Sequence, residues 1–193
     1  LNGSGDYLYH GYLRDQDNGG TARKLHLVKA GSGTQTLVGG NITHTGTTAV
    51  EQGQLILFNT PNYRSPTTVA TGATLTWSGS GDIQNNNTTA TIALSDGATL
   101  ENRNADHWTV INGAVTVDGA ATINHVVNAT GSAGRGFFLD RGLHGSGVVT
   151  INAPNAGSGV NFRNNNSTFQ GALIVNGIAD TTPFAASGIG VGG

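Results

Sequence analysis

The chain has 193 residues and a formal net charge of −2, and only 10% of it is charged, against about 25% in an average globular domain. Gly (31), Thr (25) and Asn (20) fill 76 positions, which disfavours helix because all three are poor helix formers. No run approaches the ~20 apolar residues of a membrane span, no basic footprint addresses nucleic acid or anionic lipid, and the lack of Cys removes disulfides, thiolate metal sites and Cys nucleophiles.

An all-β chain is what remains. Met is absent as well, even at position 1, so we expect a processed or partial chain whose upstream part held any secretory signal.

In chain order, the first element is Asp6-Tyr-Leu-Tyr-His-Gly-Tyr-Leu-Arg14, which carries three of the four tyrosines. Tyr7 and Tyr9 fall on one strand face, and residues 1–22 read as a capping or interface segment ahead of a repetitive body over 23–193. In that body one phrase recurs, a Gly, one or two small residues, then alternating aliphatics. It stands at Gly53-Gln-Leu-Ile-Leu57, Gly72-Ala-Thr-Leu-Thr76, Gly97-Ala-Thr-Leu100, Gly119-Ala-Ala-Thr-Ile123, Gly147-Val-Val-Thr-Ile151 and Gly171-Ala-Leu-Ile-Val175. The steps are 19, 25, 22, 28 and 24 residues. Gly188-Ile189-Gly190-Val191 reads as the start of another repeat.

Short strands on a 20–30-residue period are the mark of a parallel β-solenoid, whose coils bury an apolar face only by stacking. We expect roughly eight coils of about 24 residues, with Leu55/Leu57, Leu75/Trp77, Val115/Val117 and Leu173/Val175 pointing inward. Asn is expected at the corners, stacked into amide ladders. The competing β-sandwich would require turn signals every 8–12 residues.

The stretch from Lys24-Leu-His-Leu-Val-Lys-Ala-Gly31 through Val38-Gly-Gly-Asn-Ile42 and Thr47-Thr-Ala-Val50 to Gly53-Gln-Leu-Ile-Leu57 resembles the autotransporter-associated β-strand repeat, also called the passenger-associated transport repeat. A weaker echo runs from Leu143 to Val175, with Ser167-Thr-Phe-Gln-Gly171 in place of the family's Asn-x-x-x-Gly phrase and its Lys missing. The resemblance implies a right-handed parallel β-helix on a bacterial surface, part of a long secreted passenger, where the repeat aids secretion and forms a stalk while any activity sits on other domains; on our own reading the chain needs no cofactor and no metal. No outer-membrane barrel is present in the chain, and residues 1–22 and 101–145 follow the repeat poorly.

The densest polar cluster is Glu101-Asn-Arg-Asn-Ala-Asp-His-Trp108. One reading is a sugar-binding loop, with Trp108 as stacking platform and Arg103, Asp106 and His107 around it. The other is a plain turn whose Trp tucks back onto the rod. With Tyr7, Tyr9 and Tyr12, these residues are the contact candidates, for surface glycans or for a protein. Asp96, Asp118 and Asp140, spaced 22 and 22, would form a carboxylate column if the coils there were 22 long, although Asp96 and Asp118 also suit turns before Gly-Ala. His107, His125 and His144 are 18 and 19 apart, and His26 and His44 are 18 apart; exposed, scattered positions are expected of them rather than a metal-binding column.

Three functions follow. The first is a non-catalytic stalk or adhesin whose partners are neighbouring coils, with neither nucleic-acid binding nor membrane insertion. The others are an extracellular filament joined end to end by homotypic contacts between open coils, and a carbohydrate-active enzyme using the Asp column.

Overall fold

The structure is a computed structural model that describes residues 1–18, 21–79, 86–104, 108–126, 136–153, 159–162, 168–177 and 190–191. Asp106 and His107 lie outside the described residues. The fold is all-β, a parallel β-solenoid of about 6 turns with about 24 residues per turn, and no helix occurs among the described residues.

Three parallel sheets form its faces. The first face stacks eight strands: Asp6–Tyr9, Thr34–Val38, Gln54–Phe58, Thr74–Ser78, Ala98–Asn102, Ala120–His125, Val148–Ala153 and Ala172–Gly177. The second stacks six: Leu27–Lys29, Thr48–Val50, Thr67–Val69, Ile92–Leu94, Val115–Val117 and Leu143–Gly145. The third has five: Asn86–Thr88, Thr109–Ile111, Phe137–Leu139, Val160–Phe162 and Gly190–Val191. The expected eight coils are thus eight rungs on one face and about six whole turns.

The period-2 alternation of the strands becomes columns of identical direction. On the first face one inner column runs Tyr7, Gln35, Leu55, Leu75, Leu100, Ile123, Ile151, Val175. The column two residues on begins Tyr9, Leu37, Leu57, Trp77, Asn102, His125. From Leu55 to Ile151 the first column is aliphatic and buried, so each side chain is covered by the rungs above and below it. Val175 ends the first of these lines and Leu173 ends the line of Ala98, Ala121 and Val149, yet both are exposed, on the last described rung of the face. Each recurring Gly immediately precedes or opens the approach to a first-face strand.

The interior closes differently at the first coils. Lys29 occupies the inner line that continues as Val50, Val69, Leu94 and Val117, and Gln35 the one that continues as leucines. Lys29 is buried, and its Nζ donates to the carbonyl oxygens of Ala30 (3.3 Å), Gly31 (2.7 Å) and Gln52 (3.0 Å), which uses its three protons. Burial without a carboxylate partner lowers its pKa. The Gln35 amide donates to the Tyr7 and Thr36 carbonyl oxygens at 3.3 and 3.1 Å. These two side chains put polar groups where an aliphatic column would otherwise meet the end of the stack.

Residues 1–13 already join this architecture, through the strand Asp6–Tyr9 and single bridges from Asn2 to Ala30 and from Leu13 to Ile42. An antiparallel excursion, Gln16–Asn18 with Thr21–Arg23, follows. At its root the Asp15 carboxylate accepts from the Thr45 hydroxyl (2.6 Å) and from the N–H groups of Thr45 (3.1 Å) and Leu25 (2.9 Å). The Thr45 hydroxyl above all, helped by those N–H groups, holds the Asp15 pKa down at about 2.

An amide ladder is present, but on a strand face rather than at a corner. Asn176 Nδ2 donates to Asn152 Oδ1 and Asn152 Nδ2 to Asn124 Oδ1, each at 2.9 Å. Outward positions repeat with the strand register, whereas corners absorb the unequal step lengths, so the first face offers the constant spacing a ladder requires.

Candidate functional site

Among the described residues, the exposed aromatic side chains lie in two places. Tyr7, Tyr9 and Tyr12 are all exposed at the first rung. Tyr7 and Tyr9 do share a strand face; they rest on Gln35 and Leu37, and the Tyr9 hydroxyl donates to the Tyr12 carbonyl at 3.3 Å. The Arg14 guanidinium lies 5.6 Å from the Tyr12 ring centre, a cation–π arrangement. Between Tyr7, Leu1, Asn2, Gly3, Lys29 and Gln35 a cavity of about 220 Å³ opens at this end.

The second place is the start of the strand Thr109–Ile111. Trp108 is 52% exposed and meets Phe138 edge-on, with centroids 5.6 Å apart and planes at 66°. It is therefore braced against the rod while much of its surface faces solvent. Arg103, also exposed, pairs with the nearly buried Glu101 through Nε at 2.6 Å. Glu101 Oε1 in turn accepts from the Thr76 hydroxyl at 3.1 Å, and Thr76 from Gln54 Nε2 at 2.8 Å. This outward chain of hydrogen bonds crosses three rungs and fixes the root of the turn that carries Arg103.

At the other end of the strand Thr109–Ile111, an open groove of about 700 Å³ is lined by Thr89, Thr91, Asn112, Asp140 and Arg141 among others. Four residues of extended chain separate Trp108 from Asn112, about 13 Å. The aromatic surface and the mixed-charge polar groove thus stand at the two ends of one third-face strand.

The carboxylate column does not form. Asp96 stands beside Gly119 and accepts from the Ala120 N–H at 2.8 Å. Asp118, one residue past the Leu94–Val117 pair, comes opposite Ser95, and Asp140, one past the Ile111–Leu139 pair, comes opposite Asn112 at another corner. Equal sequence spacing fails because the extra residues of each coil enter at different corners. Asp96 is a turn residue, as its Gly-Ala sequel suggests.

Among the described residues the histidines form no column either, and the expectation that they are exposed is wrong for two of them. His44 and His125 are completely buried. His44 Nε2 lies 2.9 Å from Thr48 Oγ1, which lies 2.8 Å from Ser65 Oγ, and Ser65 donates to the Gly46 carbonyl. With the Ser65 proton so used, Thr48 donates to Ser65 and His44 donates to Thr48. Burial lowers the His44 pKa, which Asp15 opposes. Tyr63, sealed beside them, donates to Thr67 at 2.6 Å and stacks edge-on with His44 (5.7 Å) and Trp77 (6.1 Å). An imidazole–hydroxyl chain with an Asp nearby has the residue types of a hydrolase, but these hydroxyls are buried and bonded into the wall. No group of three His, Asp or Glu side chains among the described residues could hold a metal ion.

No family model matches the sequence, and no curated protein or solved structure matches it.

Proposed function

We propose that this chain is a non-catalytic structural and adhesive β-solenoid, part of a bacterial surface or secreted protein of the autotransporter-passenger kind. The observation that carries this reading is the uninterrupted parallel ladder of eight first-face strands, a stiff support with half-exposed Trp108 braced on its side. Supporting it, the three spaced carboxylates are dispersed, and the imidazole–hydroxyl chain is enclosed. The stretch that resembles the passenger repeat, Lys24 to Leu57, forms the first two full rungs, and its Lys29 closes the interior. Trp108 supplies the ring face that stacks on sugars, exposed Arg103 supplies hydrogen-bonding groups on the segment before it, and the Asp140–Arg141 groove offers more at the far end of the strand, about 13 Å on.

The test is binding of fluorescently labelled protein to a panel of immobilised neutral oligosaccharides built on glucose, galactose, mannose and N-acetylglucosamine. Retention on at least one, weakened about tenfold or more by Trp108→Ala, is the expected result, since a buried aromatic contact commonly carries more than ~1 kcal/mol. Cleavage of a panel member, or binding indifferent to Trp108→Ala, would contradict the reading.

A second reading, end-to-end joining of copies, draws on Tyr7 and Tyr9 at one terminal rung and Leu173 and Val175 at the other. Scattering mass that grows with protein concentration would favour it over the first.

A further inference from the structure

Three successive rungs of one inner column carry Trp77, Asn102 and His125. Each is completely buried, and each keeps one nitrogen with no partner among the described residues: Trp77 Nε1, Asn102 Nδ2 and His125 Nε2. A buried group left in that state costs ~1–3 kcal/mol, so three neighbours in one line call for a partner.

The bonds they do make define what that partner must offer. Asn102 Oδ1 accepts from the Asn104 N–H (3.2 Å) and the Thr109 hydroxyl (2.8 Å), so the amide orientation is settled and its NH2 is the free end. His125 Nδ1 lies 3.0 Å from the Gly159 carbonyl oxygen. Burial, opposed weakly by that carbonyl, puts the His125 pKa at about 4, so the ring is neutral near pH 7. With its proton on Nδ1 and given to Gly159, the ring turns a lone pair, Nε2, toward the interior. The Gly159 N–H also points at Nδ1, from 3.1 Å, so the tautomer decides which of the two bonds forms, and the Nδ1–H form uses the carbonyl.

Asn102 and Trp77 thus offer protons and His125 offers a lone pair, on strands ~4.8 Å apart. Asn102 and His125 do not bond each other directly. An anion would face the His125 lone pair, a cation would face two N–H groups, and an apolar guest would satisfy none of the three. A water molecule accepts from the Asn102 amide and donates to the imidazole.

We propose that the rod holds an ordered internal water between Asn102 Nδ2 and His125 Nε2, on adjacent rungs. The site lies beside the strand that follows Trp108, because Asn102 also anchors Asn104 and Thr109. Filling it holds Asn102 in place and with it the start of the third-face strand. The inference does not depend on what Trp108 binds.

A high-resolution crystal structure of the chain should show a density peak within hydrogen-bond distance of both Asn102 Nδ2 and His125 Nε2; an empty site would overturn the proposal. In solution, oxygen-17 magnetic relaxation dispersion should count one fewer long-lived water in His125→Leu than in the wild type, with an equal count contradicting it. Should that variant not fold, nitrogen-15 NMR of wild-type His125 serves instead. The Nδ1–H tautomer agrees with the water as placed, and the Nε2–H tautomer overturns it.

Discussion

Gly53→Ala is expected to destabilise the protein by about 3 kcal/mol, read as a lower denaturant midpoint at unchanged slope. Two separate effects add there. Gly53 has φ of 68°, in the left-handed region where a Cβ costs roughly 1–2 kcal/mol. A Cβ built on it would also run into the carbonyl oxygens of Gly33 and Gly31 on the preceding rung. Those oxygens belong to the backbone of a stacked coil, so relief means parting two rungs, and overpacking of this sort costs about 1–3 kcal/mol. Gly72 separates the two effects. Its φ is 73°, and a Cβ there meets nothing within 4 Å. Gly72→Ala should therefore show the conformational cost alone, about 1 kcal/mol. Equal losses at the two positions would mean that the rungs do not stack as closely as described.

Leu100→Ala should cost about 3 kcal/mol, within the usual 2–5 for a buried leucine. Leu100 lies between Leu75 and Ile123 in the inner column and is wholly shielded from water. The rungs above and below are tied by main-chain hydrogen bonds and cannot collapse far into the space left. The same column ends in Val175, which is 47% exposed. Truncating Val175 to Ala removes little buried surface and should change stability by less than about 0.5 kcal/mol. The contrast depends on position in the column and not on residue type. Similar losses at the two sites would argue against a stack whose interior lies between Leu55 and Ile151.

Much of this plan was legible before any coordinates. The glycine phrases located the first-face strands, because a coil corner needs either left-handed backbone or room for the carbonyl of the next coil, and glycine provides both. Alternation at Leu55/Leu57 and Leu75/Trp77 identified the inner side correctly. The polar interior was not legible, since an alternation pattern equates inward with apolar. Asn102 and His125 follow Leu100 and Ile123 by two residues, in register with Trp77, and that register was the signal that placed them inside. Lys29 and Gln35 carry the same signal three rungs before Asn102. The Asp column failed for the reason that spacing alone misleads in a solenoid: a residue's neighbour depends on which corner takes the insertion. Trp108 combined both sequence readings, braced by Phe138 and still open to solvent.

The central claim is the parallel stacking itself, and the lack of native cysteine makes it directly measurable. Val28, Ala49, Thr68, Ala93 and Thr116 occupy one outward line of the second face on five successive rungs. Spin labels on Val28→Cys and Thr116→Cys, measured by pulsed dipolar spectroscopy, should give a single narrow distance near four strand spacings, ~19 Å, although 88 residues of chain separate them. A broad distribution, or a distance well beyond the reach of two labels on that spacing, would contradict the solenoid.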